Sequence, residues 1–193
     1  MSMETIILAS RSPRRSEILR CAGIPFEIVC ADADETPVAN VTPEELTAGL
    51  AYRKLHAVYE KTGDERLILA ADTMVFRGGT RLGKPKDEED AYRMLSLLSD
   101  GWHEVCTGIA MQKNGRLITD CDVTRVKMRK IEPDEIRAYI KTKEPMDKAG
   151  AYAVQEIGSV FIQRIEGSFH NVVGLPIGLV CEHLYNDFGI RVL

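Results

Sequence analysis

Apolar residues in this chain come in short runs that alternate with stretches of helical period. The run "TIILAS" (Thr5 to Ser10) reads as a buried strand. It leads into "SPRRSEILRCAG", where Ser12 stands as N-cap, Pro13 at the first helical position and Gly23 as the stop. "PFEIVCA" predicts a second strand, and "TPEEL" opens a helix whose capping box runs from Thr42 to Glu45 and whose pattern continues to about Lys61. "RLILAADTMVF" predicts a central strand, "GG" a turn and "TRLG" the returning chain. In "KDEEDAYRMLSLL" the residues Ala91, Met94, Leu95 and Leu98 share one face of an amphipathic helix. "WHEVCTGIAMQ" and "RLITDCDVTRVKMRKI" flank Asn114-Gly115, a pair suited to the left-handed positions of a tight hairpin. Beyond it "EPDEIRAYI" predicts a helix, "SVFIQRI" a strand and "LPIGLVCEHLYNDFG" a closing helix.

Strands and helices interleave, yet a hairpin sits in the middle. The pattern predicts an α/β fold: a single domain over residues 1–193 with a mixed, twisted β-sheet flanked by helices. "VCADADETPVAN" is the longest irregular stretch, and long irregular segments in compact domains are often functional. A formal net charge of −4 argues against a general nucleic-acid surface, so clusters of basic residues are local features. The five cysteines form no CxxC pair, and most sit beside apolar residues, which suits reduced, buried thiols of a cytoplasmic protein. The chain starts without a basic-then-apolar leader and has no run near ~18 apolar residues, so no membrane span is expected.

The helix starts differ in one respect. "TPEE", "DEED" and "EPDE" place acids in the first turn, as the helix dipole prefers, whereas "SPRR" places Arg14 and Arg15 there. Either a bound anion uses the helix N–H groups and both guanidinium forks, or two solvated arginines sit at a surface helix end. If both hold phosphate, removing either should not lower stability. Asp72 interrupts the apolar run "LILAADTMVF". A carboxylate there is costly to bury unless it coordinates a metal or pairs with a Lys or Arg at the strand end. Lys54 falls on the stripe Leu46, Leu50, Lys54, Val58, where a lysine ordinarily snorkels off the core edge. Lys84, in "LGKP", is either a phosphate lysine or a solvated loop residue, and no Walker A motif surrounds it. Glu35 lies with Asp32 and Asp34 in a loop whose oxygen ligands suit a hard cation, or which is simply an exposed acidic loop. The four histidines form no zinc motif, no GxSxG elbow is present, and "GSFHNVVGLP" reads equally as a binding loop or a structural turn. Together these residues describe one site with four cations, two acidic centres and no nucleophile. Against the roughly four negative charges of a triphosphate, each cation at ~4 Å contributes about 4 kcal/mol before desolvation, at an effective dielectric near 20.

In this setting "LASRSPRRSEILRCAGIPFEIV", "DETP", "AADTMV", "LGKPKDEEDAYRMLSLLSDGWHEVCTG", "DKAGAYAVQ" and "IEGSFHNVVGLP" resemble, in order, the Maf family of nucleoside triphosphate pyrophosphatases. The resemblance spans almost the whole chain. It implies a fold similar to that of the inosine triphosphate pyrophosphatases, a homodimer, and Mg²⁺- or Mn²⁺-dependent hydrolysis of a nucleoside triphosphate to its monophosphate and pyrophosphate. By motif, it assigns Ser10, Arg14, Arg15, Lys54 and Lys84 to phosphate. Glu35 and Asp72 would hold metal and activate water, with Asp72 as general base and Lys54 and Lys84 completing the catalytic set. Thr73 and Gln155 would contribute to substrate choice. "DKAGAYAVQ" with "GSFHNVVGLP" is similar to the branch acting on dTTP and UTP, while the commoner "DKAGAYGIQG" differs at Ala153, Val154 and Glu156. A 7-methyl-GTP pyrophosphatase of the same family and a non-catalytic nucleotide-binding regulator of cell division are the alternatives. Retention of both Glu35 and Asp72 favours the enzyme.

Overall fold

In a computed structural model, residues 3–36, 38–63 and 65–193 are described. Pro37, the last residue of the "DETP" motif, lies outside them. The elements in chain order are β1 (Ile6–Leu8), α1 (Pro13–Cys21), β2 (Phe26–Ile28), α2 (Pro43–Thr62), β3 (Ile68–Arg77), β4 (Thr80–Leu82), α3 (Glu88–Leu98), β5 (Trp102–Lys113), β6 (Arg116–Met128), α4 (Pro133–Lys141), β7 (Ile162–Glu166), α5 (Phe169–Val173) and α6 (Ile177–Asn186). The sheet runs β2-β1-β3-β5-β6-β7, with β4 paired to β3 off that path. β1 pairs in parallel with β2 and β3, whereas β3–β4 and β6–β7 are antiparallel, so the sheet is mixed as the sequence predicts.

The chain divides into two compact units: Met1–Asp72 with Thr107–Asp122 and Gly174–Leu193, and Thr73–Cys106 with Val123–Val173. In the first, Ile7, Ala9, Ile68 and Ala70 from the parallel strands pack with Ala51, Leu55 and Val58 of α2 and Ala110 of β5. α2 starts on the expected capping box: Thr42 Oγ1 accepts from the Glu45 N–H at 3.2 Å, and Glu45 Oε2 accepts from the Thr42 N–H at 2.8 Å. It stops at Gly63 in the left-handed region, φ 59°. The helix lies very close to β5, because a Cβ on Gly108 would stand 2.2 Å from the Ala48 nitrogen and the Thr47 carbonyl carbon. Only glycine admits that approach of the helix that carries Lys54.

In the second unit Ala91, Met94, Leu95 and Leu98 are buried together, the face the sequence predicts for α3, against Val75, Leu82, Val105, Val126, Ile136 and Tyr139. At the β5–β6 turn Asn114 and Gly115 both have positive φ, as a tight hairpin requires.

Three local readings change. "SVFIQRI" is not all strand: Ile157–Phe161 forms a 3-10 turn and pairing starts at Ile162. Within "GSFHNVVGLP" the residues Phe169–Val173 are a short helix. It is fixed by Asn171 Nδ2, which donates to the Val105 carbonyl and Thr124 Oγ1 at 2.9 Å each, so the structural reading of this stretch holds for Asn171. Of the five cysteines only Cys106 is buried, and Cys21 is exposed, because flanking apolar residues do not fix the direction of a side chain on a helix.

Candidate active site

β1 ends at Leu8, and the short connection to α1 carries Ser10, which is buried. Ser10 Oγ accepts from the Ser12 N–H at 3.2 Å and from an Arg15 terminal nitrogen at 3.1 Å. Ser12 occupies the N-cap position and Pro13 the first turn as expected, but the Ser12 side chain makes no capping hydrogen bond. The first turn of α1 holds no acid, and the compensation for Arg15 comes from elsewhere in the chain. Its Nε donates to the Gly174 carbonyl at 2.8 Å. Burial is the largest influence on the Arg15 guanidinium and pulls its pKa down. The charges of Asp72 and Glu35 oppose that shift, and Arg14 reinforces it. Arg15 remains protonated in any case, since a guanidinium titrates far above neutrality. Ser10, Arg14, Arg15, Glu35 and Asp72 therefore share one electrostatic neighbourhood.

The irregular stretch after β2 is shaped by its own turn and by α2. Asp34 Oδ1 accepts from the Thr36 N–H at 2.8 Å, and the Thr36 side chain first, then this N–H, hold the Asp34 carboxyl below its usual pKa. Arg53 donates to the Asp34 and Thr36 carbonyls at 3.2 and 2.7 Å, and Lys61 Nζ donates to the Cys30 carbonyl at 2.9 Å. Two cations of α2 thus fasten the loop that bears Glu35, and the sequence reading missed both. A backbone carbonyl acceptor leaves no mark in the residue pattern.

Lys54 is the centre of the cluster. Its Nζ lies 2.6 Å from Asp72 Oδ1 and 3.4 Å from Glu35 Oε2. The side chains of Lys54 and Asp72 are only 19% and 10% exposed. The lysine does not snorkel; it turns inward to a carboxylate in the middle of β3, overriding the ordinary habit of a lysine on an apolar stripe. Asp72 thus has the basic partner that the plainer reading required. Its second oxygen, Oδ2, is buried and has no hydrogen-bond partner among the described residues. Such an atom costs free energy unless something else engages it.

Thr73, Lys84 and Gln155 belong to the second unit. Thr73 is half-buried on β3, and Lys84 is exposed just past β4. The loop of Lys84 is held to the segment that leads to Gln155, because the Gly150 N–H donates to the Gly83 carbonyl at 3.0 Å. Gln155 itself is exposed.

The carboxylate in the central strand β3 is thus paired with a lysine of α2, in the same electrostatic neighbourhood as the two arginines that open α1. The chain belongs to the Maf family: the Maf-like protein pattern matches residues 5–186. It is 50% identical over 199 residues to a dTTP/UTP pyrophosphatase of Acetivibrio thermocellus, covering 99% of this chain and 98% of that one. It is 45% identical over 191 residues to a dTTP/UTP pyrophosphatase of Bacillus cereus, covering 99% and 93%. Among solved structures the Staphylococcus aureus Ham1 protein aligns over 65% of this chain and 72% of its own, at 14% identity and a TM-score of 0.47.

Proposed function

We propose that this protein hydrolyses dTTP and UTP to the nucleoside monophosphate and pyrophosphate by attack of water at the α-phosphorus. The observation that carries the reading is the Asp72 carboxylate: buried, paired through one oxygen to Lys54, with the other oxygen unpartnered among the described residues. The names of relatives that match nearly the full chain at 45–50% identity support the reaction and its substrates.

The donor set fits a hard divalent cation. Among the described residues, the two carboxylates of Glu35 and Asp72 offer oxygen atoms, one of them without a protein partner, and no group of three or more His, Cys, Asp or Glu offers a closed protein cage. Mg²⁺ is ordinarily bound by one or two carboxylates together with substrate phosphates. Bound there, Mg²⁺ or Mn²⁺ would supply neutralisation of phosphate charge. The protein's own residues do the rest. Asp72 Oδ2 accepts the proton of the attacking water, the new P–O bond forms at the α-phosphorus, and the bond to the bridging oxygen breaks to release pyrophosphate. Lys54 fixes the Asp72 carboxylate through its 2.6 Å contact and adds positive charge beside the phosphates. Ser10, Arg14, Arg15 and Lys84 bind phosphate oxygens. Thr73 and Gln155 read the base, since an amide both donates and accepts and so matches the alternating edge of a pyrimidine. The protein acts as a cytoplasmic homodimer of one-domain chains without nucleic-acid or membrane partners. The net charge of −4 supports the exclusion of nucleic acid, and no helix among the described residues is long and apolar enough to cross a membrane.

The test is pyrophosphate release from dTTP, UTP, CTP, ATP, GTP and 7-methyl-GTP, with Mg²⁺ and with Mn²⁺. The highest kcat/KM falls on dTTP and UTP. A maximum on 7-methyl-GTP would reverse the substrate assignment, and no release from any nucleotide would leave a binding protein.

A further inference from the structure

Gln155 stands at the exposed tip of a six-residue loop, 153–158, whose base closes on itself. A Cβ on Gly158 would stand 2.9 Å from the Ala153 carbonyl oxygen and 3.0 Å from the Ala153 nitrogen, so the missing side chain lets the two ends meet. Both ends are also tied to one pair of side chains outside the loop. Tyr139, on α4, is buried; its hydroxyl accepts from the Ala153 N–H at 3.3 Å and donates to Glu144 Oε1 at 2.8 Å. Glu144 Oε1 further accepts from the Gly158 N–H at 3.0 Å, and Oε2 from the Ile157 N–H at 3.1 Å. Those two N–H groups are the first donors of the 3-10 turn Ile157–Phe161, which cannot satisfy them from within. One carboxylate therefore caps the start of the turn, and one hydroxyl joins that carboxylate to the other arm of the loop. Burial, and then the neighbouring Glu144, push the Tyr139 pKa up, so the hydroxyl keeps the proton it donates.

We infer that Tyr139 and Glu144 are positioning residues for Gln155: they clasp the backbone on both sides of it and so set where its amide meets the nucleotide base. The inference rests on the proposed base-reading role of Gln155. A free loop would have to be ordered when the nucleotide binds, and that cost would fall on affinity. The clasp removes it beforehand. Because the bonds use main-chain N–H groups, their loss moves the amide without altering its chemistry.

The experiment measures kcat and KM for dTTP, UTP, CTP and GTP in Tyr139→Phe, Glu144→Gln, Gln155→Ala and the double variant Tyr139→Phe/Gln155→Ala. Tyr139→Phe keeps the ring that stacks edge-on against Phe161. Glu144→Gln keeps the shape but turns one acceptor into a donor facing backbone N–H groups. Both raise KM for dTTP and UTP by about tenfold, the worth of roughly one hydrogen bond. Their kcat holds, as does KM for CTP and GTP, so discrimination shrinks. The double variant discriminates no worse than Gln155→Ala, because the clasp acts through that amide. A uniform loss of kcat for all four nucleotides, with the ranking intact, would make the pair merely structural and overturn the inference. An unchanged ranking in Gln155→Ala would instead overturn the base-reading role and the inference with it. Amide hydrogen exchange in the unmodified protein gives a reading independent of any variant: the Ile157 and Gly158 amides exchange slowly, and fast exchange would show that no clasp exists.

Discussion

In the proposed mechanism Asp72 concentrates the chemistry because its two oxygens live in different surroundings, one against the Lys54 ammonium and one without a hydrogen-bond partner among the described residues. Asp72→Asn keeps the shape and removes the charge. We expect kcat to fall by ~10²–10⁴-fold, the usual worth of a general base, in a pyrophosphate-release assay. The melting temperature falls as well, because Lys54 loses its 2.6 Å partner in a mostly buried place. The two arginines of "SPRR" part company. Arg15→Ala lowers both turnover and melting temperature, since it removes the bonds to the Gly174 carbonyl and Ser10 Oγ, against the expectation from the sequence. Arg14→Ala lowers turnover with the melting temperature held or slightly raised, as removal of a cation from the positive end of a helix allows. Steady-state kinetics and thermal unfolding, measured side by side, separate the two. The sequence made Asp72 legible because one charge in an apolar run is a local anomaly. It could not show that Lys54 turns inward, because the carboxylate responsible lies 18 residues away on another element. The Gly174 carbonyl that receives Arg15 lies 159 residues away and is main chain, invisible to any residue pattern.

At the level of elements, α2 both fastens the acidic loop and delivers Lys54, and Gly108 lets it sit close to β5. Gly108→Ala sets a methyl against backbone that cannot rotate away. Such overpacking costs about 1–3 kcal/mol or more, and urea unfolding reads it directly. Turnover falls with it as Lys54 is displaced. Two histidines give the stability curve opposite slopes. His183 on α6 hydrogen-bonds Asp187 and, across to β6, Asp120, at 2.7 and 2.9 Å, while Arg116 pairs with Asp187. Burial lowers its pKa, but the bonds to the two carboxylates outweigh that and raise it. Its contribution is therefore fully present below the unfolded value near 6.5 and is lost as pH rises through the folded value. His103 is the reverse: burial, aided by Arg77, pushes it down to about 3, so stability drains as pH falls from 6.5 toward 3 and the unfolded chain takes up the proton. Unfolding free energies across pH 4–8 should show the gap between His183→Gln and the native protein closing as pH rises. His103→Gln should flatten the acid side. Elements with local signals, the capping box of Thr42 and Glu45, the Asn114-Gly115 turn and the α3 face, were readable in the sequence. "SVFIQRI" misled because its first residues belong to a 3-10 turn whose start, at Ile157 and Gly158, is capped by Glu144, a non-local partner.

For the molecule as a whole, the alternation of strands and helices with one central hairpin was enough to read a mixed α/β sheet, since periodicity records burial directly. The division into two units was not readable, because it runs through the strands themselves. β3, β5 and β6 each pass from one unit to the other within their own length, so neither unit owns a full set of strands. We expect a single cooperative unfolding transition, with the fluorescence of Trp102 and far-UV circular dichroism coinciding; separate midpoints would mean independent folding. The closed loop at 153–158 bears on how such a protein diversifies. Its shape is written in main-chain bonds to Tyr139 and Glu144 and in the bare backbone of Gly158. At the tip the Glu156 side chain pairs with Lys148 at 3.7 Å, while the hydrogen bonds that close the loop use main-chain groups of Ala153, Ile157 and Gly158. The departures from the commoner pattern at Ala153, Val154 and Glu156 fall inside this frame. On the proposed base-reading role of Gln155 the tip is an exchangeable cassette: substitutions there would rewrite nucleotide preference and leave the Lys54–Asp72 pair untouched.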